Sequence, residues 1–214
     1  MTRRTLIAAA AMASIIPRTA FAGAGLKVVA TSRRFLANGI TTDAAGRIYL
    51  SMPSWTGMED SPGLARVEDG APVPFPGGAW HDPASAPLGR LTTVNAVHVF
   101  DDGLIWAVDQ GGPEGGQKLV AFHPDGTLAH HLAFGPGILP EGAAMNDLRK
   151  QGGRVYVTDS GLGGIILHDL DRNVTLRRLS KHPLLRVDPS RWRSARATAR
   201  FRMLRARGRR SMPT

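Results

Sequence analysis

Between residues 26 and 185, apolar and polar positions alternate in short runs, and Gly, Pro, Asn and Asp break the runs apart. Period-two patches bounded by such turn formers predict short β-strands rather than helices. The runs recur in a fixed order. Three units open on an Asn with an apolar stretch behind it: Asn38, Asn95 and Asn146. A Gly follows the Asn by 8, 8 and 7 positions and an aromatic by 11, 11 and 10, giving Gly46 and Tyr49, Gly103 and Trp106, Gly153 and Tyr156. The joining segments 43–46, 101–103 and 151–153 are rich in Asp and Gly. That is hairpin chemistry, because both residues accept the positive φ of tight turns. A third strand is predicted over 63–67, 118–122 and 165–168, and a fourth over 72–75, 128–132 and 174–179. Four strands per unit, with Asn-to-Asn spacings of 57 and 51 residues, match propeller blades rather than helical solenoids. The prediction is an all-β, incomplete β-propeller of about three four-stranded blades over residues 23–185. Residues 26–30 predict one extra strand, available to pair with the last blade.

Composition sharpens this picture. The 25 Gly and 15 Pro argue against a helical bundle, and the absence of Cys excludes a disulfide scaffold, a thiolate metal site and a cysteine nucleophile. The net charge of +10 is unevenly spread. Residues 1–25 carry three Arg and no acid, residues 186–214 carry ten Arg against Asp188 alone, and the body between them is mildly acidic. The basic balance therefore says nothing in favour of nucleic-acid binding by the body. Arg3 and Arg4 precede an apolar run over 5–16 that is too short to span a bilayer, which needs about 20 residues. Pro17 and the small residues Ala20 and Ala22 follow. This order predicts a twin-arginine-like export signal over 1–22, cleaved after Ala22, with no membrane span left and a periplasmic or extracellular destination. The Arg-rich tail over 186–214 reads as a disordered basic arm or as the product of a frame shift near residues 188–191.

The residues at 104–111, 118–122, 145–149 and 155–170 carry a resemblance. They look like the major royal jelly and yellow protein family, including bacterial members, over roughly residues 26–185. The resemblance implies a secreted six-bladed propeller, of which this chain has three blades, with a function in small-molecule binding or dopachrome-type isomerisation. The Asn-centred units are also similar, over shorter motifs, to sugar-lactonase propellers of the gluconolactonase and regucalcin type. That likeness implies a divalent metal at the channel mouth and lactone hydrolysis as the alternative function. A third alternative is a truncated product with no function.

Equivalent positions of successive blades fall on a ring around the propeller axis. Amide oxygens on such a ring suit a hard cation such as Ca²⁺. Asn95 and Asn146 match the lactonase pattern best, and Asn38 stands nearby, with turn formation as the competing role for all three. Asp147 is a candidate ligand or general base. Arg149 is a candidate contact for an acidic ligand. His81, in a Pro-rich connection, is a candidate residue overhanging the channel. Asp109 and Asp159 close equivalent strands and are expected to form Asx-turns. Open edges on both sides of a three-bladed arc predict self-association.

Overall fold

The computed structural model describes residues 27–32, 34–55 and 58–185. The expected export signal and the Arg-rich tail lie outside the described residues. Among the described residues, twelve strands form three antiparallel meanders. The first blade holds β1 (Gly39–Thr42), β2 (Ile48–Met52), β3 (Gly63–Glu68) and β4 (Ala71–Pro74). The second holds β5 (Val94–Val99), β6 (Ile105–Asp109), β7 (Lys118–Phe122) and β8 (Leu128–Ala133). The third holds β9 (Met145–Gln151), β10 (Arg154–Asp159), β11 (Gly164–Asp169) and β12 (Val174–Arg178). In each sheet the strands pair in chain order, so the first strand of each unit lies at one edge. Strand β1 lies against β5, and β5 lies against β9. The three sheets are consecutive propeller blades with their first strands innermost.

The hairpins behave as their composition predicts. Gly46 and Gly103 hold φ of 76° and 70°, a region open to Gly at little steric cost. The spacing from turn to aromatic also has a cause. Tyr49 donates its hydroxyl to Asp43 Oδ2 at 3.2 Å, and the Trp106 indole N–H donates to Asp102 Oδ2 at 3.0 Å. Each aromatic thus buries its ring and ties its polar tip to the acid of the preceding turn.

Two apolar layers join the blades. Tyr49, Leu64 and Phe75 of the first unit meet Val97, Ile105 and Phe122 of the second. On its other face the second blade packs Trp106, Val108 and Leu119 against Met145, Val155 and Val157 of the third. The second blade is covered on both faces, so every residue of β6 and β7 is buried. Among the described residues the third blade is covered on one face only, and β10 alternates: Val155, Val157 and Asp159 are buried while Arg154 and Thr158 are exposed. Lys150 adds a polar tie between blades, donating to Asp101 at 3.0 Å and lying 3.2 Å from Asp102.

The extra strand expected over 26–30 is not formed by residues 27–30. The Thr31 N–H instead donates to the Gly70 carbonyl at 3.0 Å, holding this segment beside the β3–β4 turn. The last blade, its expected partner, lies on the far side of the second blade.

Candidate functional site

The inner strands carry the irregularities that position the site. In β5 the register passes from Val94 opposite Asp109 to Ala96 opposite Val108, leaving Asn95 as the extra residue of a β-bulge. In β9 the same happens between Met145 opposite Asp159 and Leu148 opposite Val157, so that Asn146 and Asp147 share one place in the ladder. A bulge re-aims side chains and interrupts pairing. Thr158 occupies the gap, its hydroxyl accepting the Asp147 N–H at 3.0 Å.

Two of the three Asn side chains join blades. Asn38 donates its amide to the Asn95 carbonyl at 2.7 Å. Asn95, which is buried, donates to the Met145 carbonyl at 3.0 Å and to Gln110 Oε1 at 2.7 Å. Each thus satisfies a backbone acceptor on the next inner strand. Asn146 stands at the same place in the third blade, is exposed, and makes no side-chain hydrogen bond among the described residues. The turn-forming role considered from sequence is, for Asn38 and Asn95, a clip between blades. Close approach of the inner strands also explains Gly39: a Cβ there would sit 2.9 Å from Ser51 Oγ and 3.6 Å from the Val97 nitrogen.

The third blade departs from the other two after its Asn. Where the others have Gly39 and Ala96, it has Asp147. That carboxylate meets His98 of the second blade, Nε2 to Oδ1, at 2.7 Å. Burial pushes the Asp147 carboxyl up. The hydrogen bond from His98, the Leu148 N–H and the Arg149 charge outweigh it and hold the carboxyl below its usual range. An ionised carboxylate only accepts, so His98 donates to it through Nε2, and Arg149 Nη1 lies 3.1 Å from the same nitrogen. Arg149 lies 3.0 Å from Asp147 Oδ2, with its side chain 64% exposed. His98 stacks on Phe100 with ring centres 5.6 Å apart.

His98 and Asp147 line one cavity of about 350 Å³, walled by Asn38, Gly39 and Ile40 from the first blade, Asn95 to His98 from the second, and Asn146 and Asp147 from the third. A divalent ion here would draw on the amide oxygens of Asn95 and Asn146 and on Asp147. Such an ion takes about 6–8 oxygens. The cavity offers one carboxylate, already balanced by His98 and Arg149, and no group of three metal-ligating His, Asp or Glu side chains exists among the described residues. This donor set does not fit a resident cation.

The remaining candidates lie elsewhere. His81 ends a short 3₁₀ turn, Gly78–His81, and lines a separate cavity of about 480 Å³ with Arg90 and Leu91. Asp109 and Asp159 do form Asx-turns, accepting from Gly111 N–H at 2.9 Å and Gly161 N–H at 2.8 Å. Each also holds a cation that the repeat pattern did not suggest. Lys118 Nζ reaches Asp109 at 2.7 Å with both side chains fully buried, and Arg177 pairs with Asp159. His168 is buried at 3% exposure, and burial pushes its imidazole pKa down. Sequence reasoning missed the His98–Asp147 pair. Its one signal is the carboxylate at a position where the other units keep the smallest residues.

No family model matches the chain, and no curated protein matches it. Among solved structures it is similar to YCF48 bound to D1 peptide, at 14% identity and a TM-score of 0.49, covering 75% of this chain and 46% of that one. It is also similar to a catalytically inactive virginiamycin B lyase from Staphylococcus aureus with quinupristin, at 13% identity and a TM-score of 0.47, covering 71% and 44%. A protein of unknown function from Bacteroides caccae shows 16% identity and a TM-score of 0.46, covering 68% and 46%. The chain spans less than half the length of each of these three structures. Among the described residues, no helix is long and apolar enough to cross a membrane.

Proposed function

We propose that this chain is an exported β-propeller protein that binds a small polar molecule at the mouth where its inner strands converge. The observation that carries the reading is the cavity shared by three blades, with the His98–Asp147 pair on its wall. Its volume of about 350 Å³ falls within the roughly 300–1,000 Å³ of small-molecule sites. Asn146 offers an amide with no partner of its own among the described residues, and Asp147 an ionised carboxylate. A small amine or hydroxylated ring is the class these groups suit. His98, held by Asp147 through Nε2, leaves Nδ1 as the ring atom for proton transfer. Isomerisation by proton transfer is therefore within the reach of the site. Lactone hydrolysis at a bound metal has less behind it, because the cavity supplies a single carboxylate.

Calorimetric titration of the full chain with dopamine, a catechol carrying an amine, tests the reading. We expect binding that weakens about tenfold or more in Asp147→Asn, where a charge-assisted bond is lost. Addition of calcium should leave the affinity unchanged. Affinity equal in the two proteins, or binding that requires calcium, would overturn the proposal.

A further inference from the structure

The cavity around His81 has features that the axial site does not use. It lies where the end of β2, the start of β3 and the connection from blade one to blade two come together. Ser54, which follows β2, donates its hydroxyl to the Thr92 carbonyl at 3.1 Å and holds one side closed. The Leu91 N–H donates to the Trp80 carbonyl at 2.7 Å, which brings His81 and Arg90 to the same wall from opposite ends of a loop. Phe35, Pro62, Pro72, Pro74 and Leu91 give the cavity apolar sides. Its volume is about 480 Å³.

Three buried polar atoms of these residues have no hydrogen-bond partner among the described residues: Nδ1 and Nε2 of His81, and Nε of Arg90. Buried polar groups are nearly always bonded, so an orphan set calls for an absent partner. The rest of the Arg90 guanidinium is accounted for. Its Nη1 donates to the Pro83 carbonyl, and its Nη2 donates to Glu114 at 3.0 Å. That leaves the Nε–H as a fixed donor. Burial pushes the pKa of the His81 ring down, and backbone groups of Pro76, Pro62 and Phe75, near the ring but outside hydrogen-bond geometry, oppose this less strongly. A neutral ring gives one more donor and one acceptor. Of the three acids lining the cavity, Asp60 is paired with Arg34 and Asp82 accepts from the Ala84 N–H at 2.9 Å, and all three, Glu59 included, are exposed.

We infer that this cavity is a second binding site, for a small aromatic carboxylate whose oxygens accept from Arg90 Nε and His81 while its ring lies against the prolines, Phe35 and Leu91. The site is built from the first blade and the following connection alone. It therefore stands or falls independently of the axial cavity.

The probe is benzoate, titrated into the isotope-labelled full chain and followed by amide shifts, with benzyl alcohol as the uncharged comparison. We expect saturable shifts at His81, Leu91 and Thr92 and weaker binding of benzyl alcohol. Affinity should fall about tenfold or more in Arg90→Gln and in His81→Phe, each of which removes a bond to the carboxylate. Two variants are used because Arg90 also holds Pro83 and Glu114, and one folded variant suffices. Asp147→Asn should bind benzoate as the wild type does, which separates this site from the axial one. No saturable shift at these residues, equal affinity for benzyl alcohol, or unchanged affinity in a folded variant would overturn the inference.

Discussion

At the scale of single residues, stability turns on charges that the fold has taken out of water. Asp109 and Lys118 are both fully buried, and Asp109 also accepts from the Thr92 N–H and hydroxyl, each at 3.0 Å. Removing one partner strands the other, so Asp109→Ala should destabilise the chain by about 3–5 kcal/mol, read as a shift of the denaturant midpoint. A cost under about 1 kcal/mol would mean that Lys118 finds water in the folded state. Asp147 gives a test with pH. Its folded pKa lies below the unfolded value of about 3.9, so the stability it contributes is complete above that value and disappears as pH falls through the lower folded one. The stability difference between wild type and Asp147→Asn should therefore be constant near neutrality and shrink on acidification below about pH 4. A difference that grows on acidification would contradict the sign. Legibility at this scale is uneven. The Asx-turns of Asp109 and Asp159 follow from a residue type at a strand end, which is local information. The cations against them come from other strands, and His98 meets Asp147 across 49 residues of chain, a pairing set by how two sheets pack.

At the scale of elements, the repeat was readable because each blade closes its own ladder with local hairpins. Turn residues, alternation and the aromatic tied to the turn acid all lie within a few positions of one another. The β4 bounds differ by one residue from the expected 72–75, since the strand ends at Pro74 and Phe75 turns into the core. The bulges at Asn95 and Asn146 were not readable, because an extra residue in a ladder is defined only against its partner strand. They bear on a sharp prediction about the three Asn. Asn95→Ala takes the side-chain donor from the Met145 carbonyl and should cost about 1–3 kcal/mol, and Asn38→Ala should cost about 0.5–1.5 kcal/mol, because the Asn95 carbonyl keeps the Ser51 hydroxyl at 3.2 Å. Asn146→Ala removes no bond among the described residues and should stay within about 0.5 kcal/mol of wild type in the same unfolding experiment. Equal losses at all three positions would show that Asn146 also holds structure, and would weaken its assignment to the binding cavity.

At the scale of the whole molecule, the arc of three blades leaves the first and last without a neighbour on one side among the described residues. The middle blade is buried on both faces, whereas β10 presents Arg154 and Thr158 outward. Ile40 on the innermost strand of the first blade is 64% exposed. Uncovered strands and apolar positions of this kind favour pairing with another chain. We expect the full chain to show concentration-dependent association in sedimentation velocity, and a monodisperse monomer at every concentration would count against it. The order of the blades was legible from the repeat. Their convergence on one cavity was inferred from symmetry, and the asymmetry that gives it chemistry, an acid in one blade facing a histidine in the next, belongs to the assembled molecule.

The convergence of three blades on a single binding cavity is the central claim, and amide-shift mapping with saturating dopamine tests it most directly. The account predicts simultaneous shifts at Gly39, at Ala96 and His98, and at Asn146 and Asp147, one set from each inner strand, all following a single binding curve. Shifts confined to one blade, or displaced to residues away from the inner strands, would contradict it.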